Sequence, residues 1–257
     1  MLSASQPLLT RLRVVLLAGV AGVAAGLPNP APGQVSAHTP ARAGERVGAE
    51  APPARPDADP HPGLRRLSPD HAIWVDAARR EVIVGGVVTL AEGAIEVFAC
   101  PERTKEHEAV VATRCPARFL HAGLLAIGLE PGSPVVFHPD YAAARGPEVA
   151  ILVRWVDAAG DRQQCPAQEW VRNTKTGGQL AVEWVFAGSG FWRDPADGAE
   201  HYQADGGDMI CVSNFPAAML DLPIQSSESN EALLFEVFAG RVPPRGTSVE
   251  LVLSAID

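Results

Sequence analysis

From Ile73 onward the pattern becomes that of β-structure, with short apolar runs punctuated by Gly, Pro and Asp. Residues 73–75, a turn over 76–80 and residues 81–84 predict a β-hairpin, with Gly85-Gly86 interrupting its second arm as a bulge or tight bend. Residues 87–90 continue that arm, and 95–99 predict the next strand. Further strands are predicted at 134–137, 149–156, 162–165, 184–187, 209–213 and 249–253. The clearest helix is predicted over 116–128, with Pro116 suited to the first turn and Gly128 to the stop. Its stretch 119–127 has no charged residue, and its large apolar groups cover nearly the whole circumference, which predicts burial on most sides. Shorter helical pieces are predicted at 167–172, 216–220 and 230–239. The expected fold class is therefore α+β: a β-rich single domain of hairpin-linked antiparallel strands packed around one buried helix.

The first 67 residues follow another pattern. Arg11 and Arg13 precede twelve apolar residues over 14–25, which match the core of a secretory signal and fall short of a roughly 20-residue membrane span. Residues 1–25 are accordingly expected to be a signal peptide, with an uncleaved anchor as the alternative. Residues 28–66 hold nine prolines and no Phe, Trp, Tyr, Ile or Met, too little apolar surface to offset chain entropy. A Pro/Ala-rich disordered linker is expected over 26–67, and a folded domain over 68–257. The chain is expected to be exported, to the periplasm, the cell envelope or the outside, with no stable membrane span once the signal is removed.

Charge sharpens this division. The net charge is −9, but residues 1–67 hold seven of the 21 basic and four of the 30 acidic groups. The remainder holds fourteen against twenty-six, a net of −12. Such a surface repels phosphate backbones, so nucleic acid is not an expected partner.

Candidate chemistry gathers in Cys100-Pro101-Glu102-Arg103-Thr104-Lys105-Glu106-His107-Glu108. His107 and Glu108 are adjacent as in zinc-protease helices, but Val111 stands where a second histidine would be needed. His121 lies on the predicted helix and needs a hydrogen-bond partner or a metal if buried. Two readings stand: a core histidine satisfied by a backbone carbonyl or Glu108, or a shared site of Lys105, His107, Glu108 and His121, with His107 and His121 as metal ligands. Cysteines at 100, 115, 165 and 211 fit no zinc or iron–sulfur spacing. An even count in an exported chain points to disulfides, among which Cys100–Cys211 is preferred because both residues end apolar strands; free buried thiols are the alternative. Ser189, in Gly188-Ser189-Gly190, lacks the G-x-S-x-G spacing of a hydrolase elbow and predicts a bend between strands. Residues 204–208 predict a plain turn instead of a calcium loop. Trp170, Trp184 and Trp192 are expected in the core or at its rim.

Phe98-Ala99-Cys100-Pro101 followed by Thr104-Lys105-Glu106-His107-Glu108 resembles the K-x-H-E segment of the YdjY-domain family, in its long, exported, planctomycete-type form. His121–Gly128 with Glu130-Pro131-Gly132, then Glu169–Asn173, 184–192 and 204–222, match further blocks in order. Some relatives carry a ferredoxin-like name that implies iron–sulfur binding, and the cysteine spacing here departs from it. The resemblance directs attention to Lys105, His107, Glu108 and His121 without implying an activity or a cofactor. The expected function is an exported, non-enzymatic module that binds a small molecule, a metal or an envelope-protein partner. Two alternatives remain open: a metal-assisted hydrolase with His107 and His121 as ligands and Glu108 as base, and a redox or iron–sulfur protein.

Overall fold

The computed structural model describes residues 59–226 and 234–256. The expected signal segment and the linker up to residue 58 lie outside these residues. Within the stretch expected to be linker, residues 59–67 already belong to the fold: Arg65–Arg66 pairs as a strand, and His61 binds Glu250 at 2.7 Å.

In chain order the strands are β1 (Arg65–Arg66), β2 (Ile73–Asp76), β3 (Glu81–Val88), β4 (Val97–Pro101), β5 (Ala109–Thr113), β6 (Glu148–Val156), β7 (Arg162–Pro166) and β8 (Val171–Asn173). They continue as β9 (Trp184–Phe186), β10 (Phe191–Arg193), β11 (Glu200–Tyr202), β12 (Ile210–Cys211), β13 (Leu220–Asp221), β14 (Phe235–Val237) and β15 (Ser248–Ala255). Among the described residues there is one α-helix, α1 (Ala117–Ala126), and it is too short to cross a membrane.

Neighbouring strands run in the order β3-β15-β6-β9-β13-β12-β4-β5, and β5 pairs back onto β3. The sheet therefore closes into an eight-stranded barrel, which removes its free edges. Two of its pairings, β4–β5 and β12–β13, are parallel. β1 and β2 extend outward from β3, β7 hangs on β6, and β10–β11 and β8–β14 form separate two-stranded ribbons.

This overturns the expected α+β arrangement of strands around a buried helix. α1 buries Ala117, Leu120, Gly123 and Leu124 toward the core but leaves Leu125 46% exposed. Alanines and one leucine make its sequence look apolar all round, whereas only one face packs. Gly123 lets that face approach closely, because a Cβ there would stand 2.8 Å from Val82 Cγ1. Gly85-Gly86 does not interrupt β3. The strand pairs with β2 over residues 81–84 and with β5 over 86–88, so the glycines mark the handover that closes the barrel. A Cβ on Gly86 would meet Val111 Cγ1 at 2.7 Å and Ala112 O at 2.8 Å. The predicted strand at 134–137 is reduced to isolated bridges, Ser133 to Arg145 and Val136 to Ala142. Of the predicted short helices, 167–172 becomes a 3-10 turn leading into β8, and 216–220 ends in β13. The described part of 230–239 holds β14, which pairs with β8; residues 230–233 lie outside the description. The core holds Phe98, Trp170, Trp184, Phe186 and Phe235, all essentially inaccessible.

Candidate functional site

The site follows from the two parallel pairings. A chain leaving one strand must travel back before it can start a parallel neighbour. Residues 102–108 make that return between β4 and β5, and residues 212–219 make it between β12 and β13. Since β12 and β4 are neighbours, the two returns lie close together, and Phe215 of the second packs its ring 4.2 Å from the ammonium of Lys105 on the first. The amide of Glu96, just before β4, donates to Glu108 O at 3.1 Å and pins the end of the first return there.

Lys105 thus becomes the hub of a carboxylate cluster. Its Nζ lies 3.0 Å from Asp208 Oδ1, 3.4 Å from Glu108 Oε1 and 4.0 Å from Glu96 Oε2. Gly207, at φ +135°, makes room for the lysine stem, because a Cβ there would stand 2.5 Å from Lys105 Cγ. Side-chain exposure falls from 24% at Lys105 through 19% at Glu108 and 15% at Asp208 to 8% at Glu96, so the cluster opens to solvent at the lysine and closes at Glu96. Burial, and then the Glu108 carboxylate, push the Glu96 carboxyl above its usual range although Lys105 opposes them. Burial alone would lower the Lys105 ammonium, but Asp208 and Glu108 outweigh it and hold the lysine charged. One cation faces three carboxylates.

Behind this cluster, the second return carries Asn214. Its Nδ2 donates to Asp221 Oδ1 at 3.1 Å, and the Leu222 amide donates to the same oxygen at 2.8 Å. Asp221 Oδ2 is buried with no hydrogen-bond partner, and burial pushes this carboxyl up to about 7, with the Asp208 charge adding to the rise. Cys211 connects the two groups: its buried thiol feels Asp208, Asp221, Lys105 and Glu96.

The sequence-predicted residues divide between two places. Lys105 and Glu108 meet in the cluster. His107 stands exposed on the 3-10 turn Glu106–Glu108. His121 sits on α1 in an aromatic seat, edge-on to Phe186 and Tyr202. Tyr202 donates its hydroxyl proton to Gly188 O at 3.0 Å, so His121 Nδ1–H is the donor in the 2.8 Å bond to Tyr202 Oη. Burial lowers the pKa of His121, with the Gly188 carbonyl opposing. No hydrogen bond or ring contact joins His107 to His121, and no three His, Cys, Asp or Glu side chains gather to hold a metal, among the described residues. All four cysteines are free thiols, so the expected Cys100–Cys211 bond is not formed here, although both residues pack in one cluster with Val97, Ala109 and Ala218. Burial pushes Cys100 and Cys165 up to about 11 and Cys115 to about 12, which makes none of them a thiolate nucleophile at neutral pH. Ser189 lies between β9 and β10 and gives its hydroxyl to Ala217 O, as a bend between strands requires. Trp170 and Trp184 are core residues, and Trp192 is 45% exposed.

Glu96, Asp208 and Asp221 are the site residues that the sequence reading misses. Glu96 in Ile95-Glu96-Val97-Phe98 and Asp221 in Leu220-Asp221-Leu222 each stand alone within an apolar run. A carboxylate flanked so closely by core residues is the signal that would have found them.

These features define a closed β-barrel with a lysine-centred acidic site built by two short strand returns. The chain matches the YdjY domain over residues 73–254 and belongs to that family. No curated protein and no solved structure matches it.

Proposed function

We propose that the chain is an exported binding module and that the Lys105 cluster is its ligand site, taking an amine-bearing group. The observation that carries this is the surplus of carboxylate: Glu96, Glu108 and Asp208 share a single ammonium, and Asp221 adds a buried oxygen without a donor behind them. Such a site gains from any group that brings positive charge and N–H donors. A metal is the weaker candidate, because no three His, Cys, Asp or Glu side chains are placed to coordinate one among the described residues, whereas an amine can add N–H donors to the carboxylate oxygens. The raised thiols and the charged lysine supply no nucleophile at neutral pH.

Titration of the full chain with putrescine, followed by amide NMR, tests this reading. The amides of Glu96, Glu108 and Asp208 are expected to shift in a saturable way, and Asp208→Asn to weaken the response about tenfold. Sodium chloride at matched ionic strength gives the reference. Equal shifts with salt and with putrescine, or an unchanged response in Asp208→Asn, would overturn it.

A further inference from the structure

On the outer wall of the barrel, remote in sequence from the acidic site, a groove of about 830 Å³ crosses β15, β6 and β7. That volume falls within the range of small-molecule sites. Strand parity and register fix what it presents. Arg154 on β6 faces Glu250 of β15 on one side and Gln164 of β7 on the other, while Arg162 of β7 pairs with Val156 two residues along. Arg154, Val156, Arg162, Gln164 and Glu250 therefore project from one face, and two strand steps and one strand spacing put the two arginine Cα atoms roughly 8 Å apart. Arg79 lines the same groove.

The charges of this groove are unbalanced. The register partner that would neutralise Arg154 is Glu250, but that carboxylate holds His61 at 2.7 Å instead. Neither the Arg154 nor the Arg162 guanidinium makes a hydrogen bond or ion pair among the described residues, and Arg79 has only Asp76 at 3.9 Å. Two uncommitted guanidiniums thus stand side by side on a domain whose net charge is strongly negative. Arg154 is half-buried within the nine-residue β6, the longest strand of the barrel, and is paired on both sides, so its stem is held by the sheet and not by a mobile loop. Guanidinium forks presented in this way match the oxygens of a carboxylate or phosphate, and Gln164 adds an amide donor beside them.

We infer that this groove is a second ligand site, separate from the Lys105 cluster, and that it takes a small ligand carrying two or more oxyanion groups bridged between Arg154 and Arg162. The shared chemistry is the oxyanion; carboxylate and phosphate are its two sources, and separate probes distinguish them.

Calorimetric titration of the full chain with citrate, and separately with pyrophosphate, at constant ionic strength is the test. Saturable binding of at least one probe is expected, citrate alone assigning the site to carboxylates and pyrophosphate to phosphates. Arg154→Gln with Arg162→Gln should weaken that binding by about a hundredfold, and Arg162→Gln alone by about tenfold. Arg162 is exposed on a strand paired on one side only, so its single variant reads the site without disturbing the fold. Arg154→Lys, which keeps the charge and loses the fork, should fall between parent and double variant. Binding of neither probe, or binding unchanged in Arg162→Gln and the double variant, would overturn the inference. Loss of putrescine binding at the Lys105 cluster leaves these results untouched, so the two sites fail independently.

Discussion

The Lys105 cluster and the His121 seat hold ionisable groups in partly buried places, yet they answer pH with opposite sign. In the cluster, burial and neighbouring carboxylates raise Glu96 and Asp221, so the fold prefers these groups protonated. In the seat, burial among Phe186 and Tyr202 lowers His121, so the fold prefers it neutral. The difference lies in what each element brings. Two strand returns deliver carboxylates in excess of cations, whereas α1 delivers an imidazole to a hydroxyl and two aromatic rings. Charge surplus marks the first as a place for a ligand, and the bond of His121 Nδ1 to Tyr202 between two aromatic rings marks the second as packing.

The sharpest way to break this contrast is to remove the one cation. Lys105→Met leaves three poorly hydrated carboxylates facing one another and should lower stability at pH 7 by about 3–5 kcal/mol, the scale of a broken buried pair. Urea unfolding measures it. A loss below about 1 kcal/mol would make the cluster an ordinary surface arrangement.

Next in size is the pH response of Asp221. Its folded pKa of about 7 lies above the ordinary 3.8, so its contribution is fully present below pH 4 and is lost as pH rises through 7. About three units correspond to a loss on the order of 4 kcal/mol. Asp221→Asn cannot ionise, so its stability relative to the parent should climb between pH 4 and pH 8 and then level off. Parallel stability profiles for the two proteins would contradict the assignment.

How much of this was legible in the sequence differs between the two regions. β6 and β7 read nearly to the residue from alternation, because one face of each is covered and the other open. By contrast, β2, residues 82–84 of β3 and 251–253 of β15 bury both faces and read as short apolar runs. Barrel closure was not legible: it rests on Gly86 meeting β5 and on two parallel pairings, contacts between residues far apart in the chain. The density of charge at 102–108 pointed to Lys105 and Glu108, but their acidic partners Glu96 and Asp208 come from other segments. The 104–108 segment is the nearest polar supply to His121 in sequence, whereas its partner in space is Tyr202, 81 residues away.

Smaller effects belong to the seat. Tyr202→Phe leaves Gly188 O and His121 Nδ1 without their shared hydroxyl and should cost about 1–2 kcal/mol, read by thermal or urea unfolding. The smallest is the histidine titration itself. With its folded pKa lowered from 6.5, His121 contributes stability that is present above pH 6.5 and lost as pH falls through the folded value. His121→Gln should remove that loss, flattening the profile on the acid side of pH 6.5 while leaving the Asp221 response in place. A variant that keeps the parent's acid-side slope would locate that slope elsewhere.

The claim that the Lys105 cluster is a carboxylate surplus awaiting a cationic group is tested most directly by calorimetric titration of Lys105→Met with putrescine, under conditions where near-ultraviolet circular dichroism shows the variant folded. Removing the resident ammonium vacates its place among Glu96, Glu108 and Asp208, so the diamine should bind about tenfold more tightly than to the parent. Binding no tighter than the parent's would contradict the account.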